Sequence, residues 1–281
     1  MGLFHNHLAK APLIQNNRPK ESMTTIVSIA NEKGGVAKTT TTISLGAALV
    51  EAGLSVLLVD LDAQANLSLA LNSNHKGQAS IANVLLESVP ARDAVHETGI
   101  PNLDLISSSS ETGLVERFLP LRQDYERTLE KAFSAAQWTY DFIIMDCPPF
   151  LGTVTSNALM ATDLLIVPTQ AEFFSINALR DMLSLIRRVR AQGNTRMTYR
   201  LLLTMVDRRN RIHRTLSEQL RVTFGNGVLE TVIETDTKLR ESPIAGMPII
   251  YHAPKSRSAL QYRALAQEIL VYVKETTTQP A

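Results

Sequence analysis

The chain has 281 residues, 44% apolar and 20% charged, a globular balance that excludes a disordered or collagen-like polymer. Its 28 basic and 27 acidic residues leave a formal charge of +1, so no overall field steers it to a partner. One cysteine, Cys147, excludes a disulfide framework or a four-cysteine metal or cluster site within one chain, and points to a reducing compartment. No apolar run approaches the roughly 18 residues of a membrane span, and the start, MGLFHNHLAKAPLIQ, is too polar for a secretory signal.

Residues 1–23 are polar and without periodicity, which reads as a flexible tail. From Thr24 onward, short apolar runs alternate with longer helical stretches. Thr25–Ala30 is expected as a buried strand, 38–51 as a helix ended by Gly53, and 55–59 as a second strand ending at Asp60. Residues 80–98 suggest short helices. Strands follow at 103–106, 142–145 (ending at Asp146), 164–167 and 199–204, with a helix at 125–136. A helix at 175–192 places Ile176, Leu179, Met182, Leu183, Ile186 and Val189 on one face and Arg180, Arg187 and Arg188 on the other. A helix at 211–223, a strand at 228–233 and a last helix at 257–274 complete the series. Strand runs of four to six apolar residues between helices predict an α/β fold. The expectation is one domain, 24–275, with a mostly parallel twisted sheet covered by helices on both faces. Residues 276–281 are expected to be a disordered C-terminus.

The strongest local signal is Lys33-Gly34-Gly35-Val36-Ala37-Lys38-Thr39-Thr40, between the first strand and the first helix. That is the setting a phosphate-binding loop requires. Gly34 and Gly35 let backbone N–H groups close around phosphate oxygens, and the helix presents its positive end to the same anion. Lys38 is expected to reach the β- and γ-phosphates, and the Thr39 hydroxyl to ligate Mg²⁺. The glycine usual before that lysine is Ala37; if the position needs positive φ, alanine costs about 1 kcal/mol. Lys33, at the loop's entrance, is surplus to one nucleotide. It suggests a cation aimed at a second nucleotide across a dimer interface.

Asp60 and Asp62 end one strand, and Asp146 ends another. Ligands of open α/β sheets sit at the carboxyl ends of strands, so these carboxylates are expected to converge on the loop. Asp146 fits a Walker B carboxylate that holds Mg²⁺ through water. Asp62 fits a residue that orients or deprotonates an attacking water. Cys147 is expected as a small residue behind the site.

At this point the sequence resembles the ParA/Soj partition ATPases, whose phosphate loop is a deviant Walker A motif. The matching stretches are IANEKGGVAKTTTTISLGAAL, VLLVDLDAQANLSLAL, DFIIMDCPP, LLTMVDRRNRIH and LRESPIAGMPIIYHAPKSRSALQYRALAQEI, spanning roughly 24–274. The resemblance implies an ATP-sandwich dimer in which Lys33 crosses to the partner's nucleotide. It places Met205 and Asp207, in LLTMVDRRNRIH, at the nucleotide. It also implies ATP and Mg²⁺ as cofactors, slow hydrolysis stimulated by a ParB-like or cargo-adaptor protein, and non-specific binding to double-stranded DNA. The implied role is to position a plasmid, chromosome or protein assembly over the nucleoid, in the cytoplasm and without a membrane partner. No NKxD-type guanine motif is present, consistent with adenine. The sequence departs from the family at Ala37, at DAQAN (62–66) where DPQGN is usual, and at Glu234-Thr235 where Pro-Arg is usual near the adenine pocket. The chain starts too close to the first strand for the helix-turn-helix of large ParA proteins, so it resembles the small or chromosomal class.

The near-neutral total hides a basic segment. Residues 180–221 hold eleven arginines against Asp181, Asp207 and Glu218. Such a segment is a solvated surface or an anion-binding face. With the family match, Arg221, Arg257 and Arg263 become the leading candidates for DNA contact, Arg187, Arg188 and Arg209 the outer ones, and Lys255 extends the stripe. Residues 1–23, with Lys10, Arg18 and Lys20, are simple disorder or a partner-binding arm. Two other readings stay open. One is a MinD-like positioning ATPase acting on a membrane or protein surface without DNA. The other is a metabolic P-loop synthetase. The polar C-terminus, KETTTQPA, and the arginine cluster speak against the first, and Lys33 against the second.

Overall fold

The computed structural model describes residues 24–71, 77–172 and 175–278. The expected tail at 1–23 lies outside the described residues. The strands are β1 (Thr25–Ile29), β2 (Val56–Asp60), β3 (Val95–Ile100), β4 (Leu103–Ile106), β5 (Phe142–Asp146), β6 (Leu164–Gln170), β7 (Thr198–Val206) and β8 (Val228–Glu234). The helices are α1 (Lys38–Glu51), α2 (Asn66–Ala70), α3 (Ile81–Glu87), α4 (Thr112–Phe118), α5 (Thr128–Ala135) and α6 (Thr153–Ala161). They continue with α7 (Ser175–Ala191), α8 (Arg211–Phe224), α9 (Thr237–Glu241), α10 (Ile249–His252) and α11 (Arg257–Thr278).

All eight strands join one sheet in the order β3-β4-β2-β5-β1-β6-β7-β8. Every pairing is parallel except the β3–β4 edge. Successive side chains of a strand point to opposite faces, and here both faces are dry. Along β2, Leu57 and Val59 join the core under α3 to α7, while Val56 and Leu58 join the core under α1, α2, α10 and α11. The same alternation runs through β5, with Ile143 and Met145 on the first face and Phe142 and Ile144 on the second. This is why the strands read as unbroken apolar runs.

Helix α1 lies close on the sheet because residue 46 is glycine. A Cβ there would sit 2.8 Å from Leu58 Cδ2, too close for any real carbon contact. Helix α6 is started by a side chain from elsewhere. Glu116 of α4 accepts from the amides of Thr153 and Val154, both at 2.8 Å, and satisfies donors that a helix start leaves free.

Three differences from expectation have physical reasons. Residues 95–100 form an edge strand, not a helix, antiparallel to β4. Its His96-Glu97-Thr98 run is half exposed and carries no apolar period, and Pro101-Asn102, with Asn102 at φ 64, turns it back onto β4. The helix expected from Tyr125 begins with a 3-10 turn and becomes α-helical at Thr128. Helix α11 runs to Thr278, so it takes in 276–278; the Thr276 hydroxyl donates back to Tyr272 and Val273 carbonyls within it. Among the described residues, no helix is long and apolar enough to cross a membrane.

Candidate functional site

The loop between β1 and α1 wraps one end of a 580 Å³ cavity at the carboxyl ends of the strands. Gly35 and Ala37 both have positive φ, 74° and 68°. Neighbouring strands pin the loop's carbonyls: Gln170 donates to Gly35 O at 3.2 Å, and Thr204 to Val36 O at 3.1 Å. The amides from Gly34 to Thr40 have no hydrogen-bond partner among the described residues. A row of free amides ahead of a helix start is an anion cradle. Lys38 completes it. Its ammonium donates to Lys33 O at 3.1 Å, and burial lowers its pKa, with Asp146, Cys147 and Asp62 acting against that shift.

The three aspartates occupy different environments. Asp60 and Asp146 pair across β2 and β5 in register, and Ile29 pairs with Asp146 from the other side. Thus β5 sits between the strands that carry the phosphate loop and the Asp62 loop. Asp60 is consumed by its own loop: it accepts from Ser68 N at 2.9 Å, Ser68 Oγ at 2.8 Å and Asp62 N at 3.2 Å. Burial still pushes its carboxyl up to about 6. Asp146 is 1% exposed, and burial, then the nearby Asp60, push it up to about 8. Its Oδ1 accepts from Thr42 at 3.4 Å, whereas Oδ2 has no hydrogen-bond partner among the described residues. Asp62 lines the cavity, and among the described residues its side chain accepts only from Gln64 N, at 3.0 Å.

An orphaned buried carboxylate oxygen beside the Thr39 hydroxyl is a hard-oxygen donor set, the kind that suits Mg²⁺. Among the described residues no cluster of three His, Cys, Asp or Glu can hold a metal unaided. Cys147 is 1% exposed and burial raises its thiol pKa, so it is an inert residue behind the site.

The remaining expected nucleotide residues divide. Gly34, Gly35, Ala37, Lys38, Thr39, Thr40, Asp62 and Met205 line the cavity. Val36 is buried and lies outside the cavity lining; its carbonyl accepts from Thr204. Asp207 lies outside the cavity lining, clasped by Arg209 through its amide and guanidinium at 2.9 to 3.1 Å, which hold its carboxyl down at about 2. Lys33 is turned away from its own cavity. Its ammonium meets Gln170 Oε1 at 2.9 Å and Glu172 Oε2 at 2.5 Å. The far wall of the cavity comes from β8 and α9. Ile233, Leu239, Arg240 and Pro243 there were not expected from the sequence, because no local motif marks a pocket wall assembled by tertiary contact. Glu234 and Thr235, expected near the base, do line it.

The candidate DNA contacts divide as well. Arg209 pairs with Asp207, Arg221 with Glu230, Arg257 with Glu234 and Arg263 with Glu51. Arg187 and Arg188 on α7, and Lys255, are exposed and form no ion pair among the described residues. A larger groove of 720 Å³ lies between α7 and α8. Leucines 179, 183, 216 and 220 line it, and none of the phosphate-loop residues does.

A strand–loop–helix anion cradle, with a lysine over it and a buried aspartate on the adjacent strand, defines a P-loop nucleotide-binding protein. Residues 24–199 match the AAA domain family. The chain is 37% identical over 246 residues to the sporulation initiation inhibitor protein Soj of Bacillus subtilis, covering 87% of this chain and 97% of that protein. It is 36% identical over 251 residues to the chromosome partitioning protein ParA of Caulobacter vibrioides, covering 87% and 93%. Among solved structures, cobyrinic acid a,c-diamide synthase from Mycobacterium smegmatis, with bound ATP analog and magnesium, superposes with a TM-score of 0.79 at 31% identity, covering 92% of this chain and 99% of that one. The chain belongs to the ParA/Soj family of partition ATPases.

Proposed function

We propose that this chain binds ATP with Mg²⁺ and hydrolyses it slowly in a sandwich dimer, and that the ATP-bound dimer grips double-stranded DNA without sequence preference to position a cargo over the nucleoid. The observation that carries the reading is the pairing of a free-amide loop with the orphaned Asp146 oxygen one strand away. Lys38 and the loop amides would hold the β- and γ-phosphates, and Thr39 and Asp146, with Asp62, the metal. Bound Mg²⁺ supplies neutralisation of phosphate charge. Asp62, which lines the cavity and forms no salt bridge among the described residues, would orient the water that attacks the γ-phosphorus as the bond to the β,γ-bridging oxygen breaks. Lys33, already directed out of its own cavity, would serve the neighbouring protomer's nucleotide. This supports a catalytic site completed only in the dimer, where a partner protein can stimulate turnover.

DNA binding draws on the α7 and α8 arginines. Arg187 and Arg188 offer charge at no cost in broken ion pairs, and Lys255 extends the stripe. Arg209, Arg221, Arg257 and Arg263 must exchange an exposed carboxylate or the strand-end Glu234 for a phosphate; an exposed pair is worth about 0–1 kcal/mol. Two dimer-related patches double the contacts, so ATP-driven dimerisation would raise DNA affinity without refolding. Gel shifts of duplex DNA with ATP, with ADP and without nucleotide test this. The expected outcome is a shift with ATP alone that disappears as salt rises. Absence of an ATP-dependent shift, or binding insensitive to salt, removes the DNA model.

A further inference from the structure

Among the described residues two basic side chains line the cavity, Lys38 at the phosphate loop and Arg240 on α9. Ile43, Ala70, Ile233, Leu239 and Pro243 are among the apolar residues that line the same cavity as Arg240. The polar side chains beside it are already engaged. Glu234 is held by Arg208 at 2.9 Å, Arg257 at 3.0 Å and Gln261 at 3.0 Å. Asp236 accepts from Lys238 N at 3.0 Å, Ser258 N at 3.2 Å and Ser258 Oγ at 2.8 Å. The Thr235 hydroxyl donates to Met205 O at 3.2 Å. Even the neighbouring Lys238 and Glu241 pair with each other, at 2.8 Å. Arg240, exposed, makes no hydrogen bond or ion pair among the described residues.

A planar guanidinium without a partner among the described residues, lining a phosphate-binding cavity together with apolar side chains and with Lys38 already at the phosphate loop, is suited to stack on the π face of a nucleobase. We propose that Arg240 is the residue that holds the base of the bound nucleotide, by stacking on the face of the ring and not by reading its edge. This rests on the ATPase reading above. Helix α9 positions it: Asp236 caps the helix, Leu239 anchors it in the core, and Arg240 and Pro243, three residues apart, line the same cavity. Because stacking depends on the ring and not on its hydrogen-bonding pattern, it serves adenine and guanine alike. The phosphates are left to Lys38 and the loop.

The test is equilibrium titration of the full chain, with Mg²⁺, by ATP, GTP and inorganic tripolyphosphate, comparing wild type with Arg240→Ala and Arg240→Gln. Thermal unfolding checks that the variants are folded. Both variants are expected to weaken binding of both nucleotides by a similar factor, about two- to tenfold, and to leave tripolyphosphate affinity unchanged. An unchanged nucleotide affinity in either variant overturns the assignment. Loss for only one of the two nucleotides, ATP or GTP, overturns stacking in favour of edge recognition. A parallel loss for tripolyphosphate places Arg240 on the phosphates and overturns it as well. A wild-type chain that binds none of the three refutes the ATPase reading and this proposal together, whereas a wild type that binds nucleotide no more tightly than the variants refutes only the proposal.

Discussion

Replacing Ala37 by glycine is expected to stabilise the nucleotide-free protein. Ala37 has φ 68 and ψ 35, in the left-handed region, and it caps α1 without any side-chain hydrogen bond. That conformation costs a residue with a Cβ about 1–2 kcal/mol. Glycine removes the cost but adds freedom to the unfolded chain, which takes back about 0.4–1 kcal/mol. The balance is a gain of roughly 0.5–1 kcal/mol, and glycine is also the better N-cap of the two. For a domain of this size that is an increase in Tm of about 1–4 °C. Ala65, at φ 53 ahead of α2, presents the same situation, and Ala65→Gly should act in the same direction. Ala37→Val is the opposing control, because a β-branched side chain is worse in the left-handed region. Thermal unfolding by circular dichroism, with urea midpoints alongside, measures all three. A lowered Tm for Ala37→Gly, or no loss for Ala37→Val, would refute the strain argument.

Lys38→Ala should abolish nucleotide binding in the same titrations, and retained tight binding contradicts the loop's assignment. Asp62→Ala should still bind ATP yet lose turnover in a phosphate-release assay; unchanged turnover takes Asp62 out of the mechanism. Asp60 and Asp146 have folded pKa values raised above the unfolded value, so the native state keeps protons that the unfolded chain has released. Their contribution to the stability of the nucleotide-free protein therefore falls as pH rises from about 4, through about 6 for Asp60 and about 8 for Asp146. Asp146→Asn should flatten the upper part of a Tm-versus-pH curve; a curve as steep as wild type between pH 6 and 8 is the adverse result. Gly46→Ala, which forces a methyl against Leu58, should cost about 1–3 kcal/mol in urea unfolding, and a neutral result means the helix can move off the sheet.

The sheet was readable because its central strands are apolar on both faces and short, so each stood out between helices in the linear pattern. The expected helix bounds 38–51 recur in α1, since Gly53 punctuates its end. Legibility failed at edges and short connections. β3 carries the polar composition of a half-exposed edge, and α2, α4 and α6 are too brief to show a period; α6 is started by Glu116, a residue far away in sequence. The site divided along the same line. Residues that act through a local motif, from Gly34 to Thr40 and the strand-end aspartates, were visible because their chemistry requires a fixed spacing. The strand order that brings Asp146 beside Ile29, and the wall carrying Arg240, depend on tertiary assembly that no spacing records.

The seat of β5 between β1 and β2 has a consequence for biosynthesis. The two earlier strands have no ladder with each other; each is zipped to the later one, residue for residue from Phe142 to Asp146. A growing polypeptide that has not yet delivered Phe142–Asp146 therefore has a cradle and an acidic turn with nothing to hold them at a common distance. Their spacing is set about halfway along the chain, when the intervening strand slots home; Gln170, Thr204 and the wall from β8 and α9 are added only afterwards.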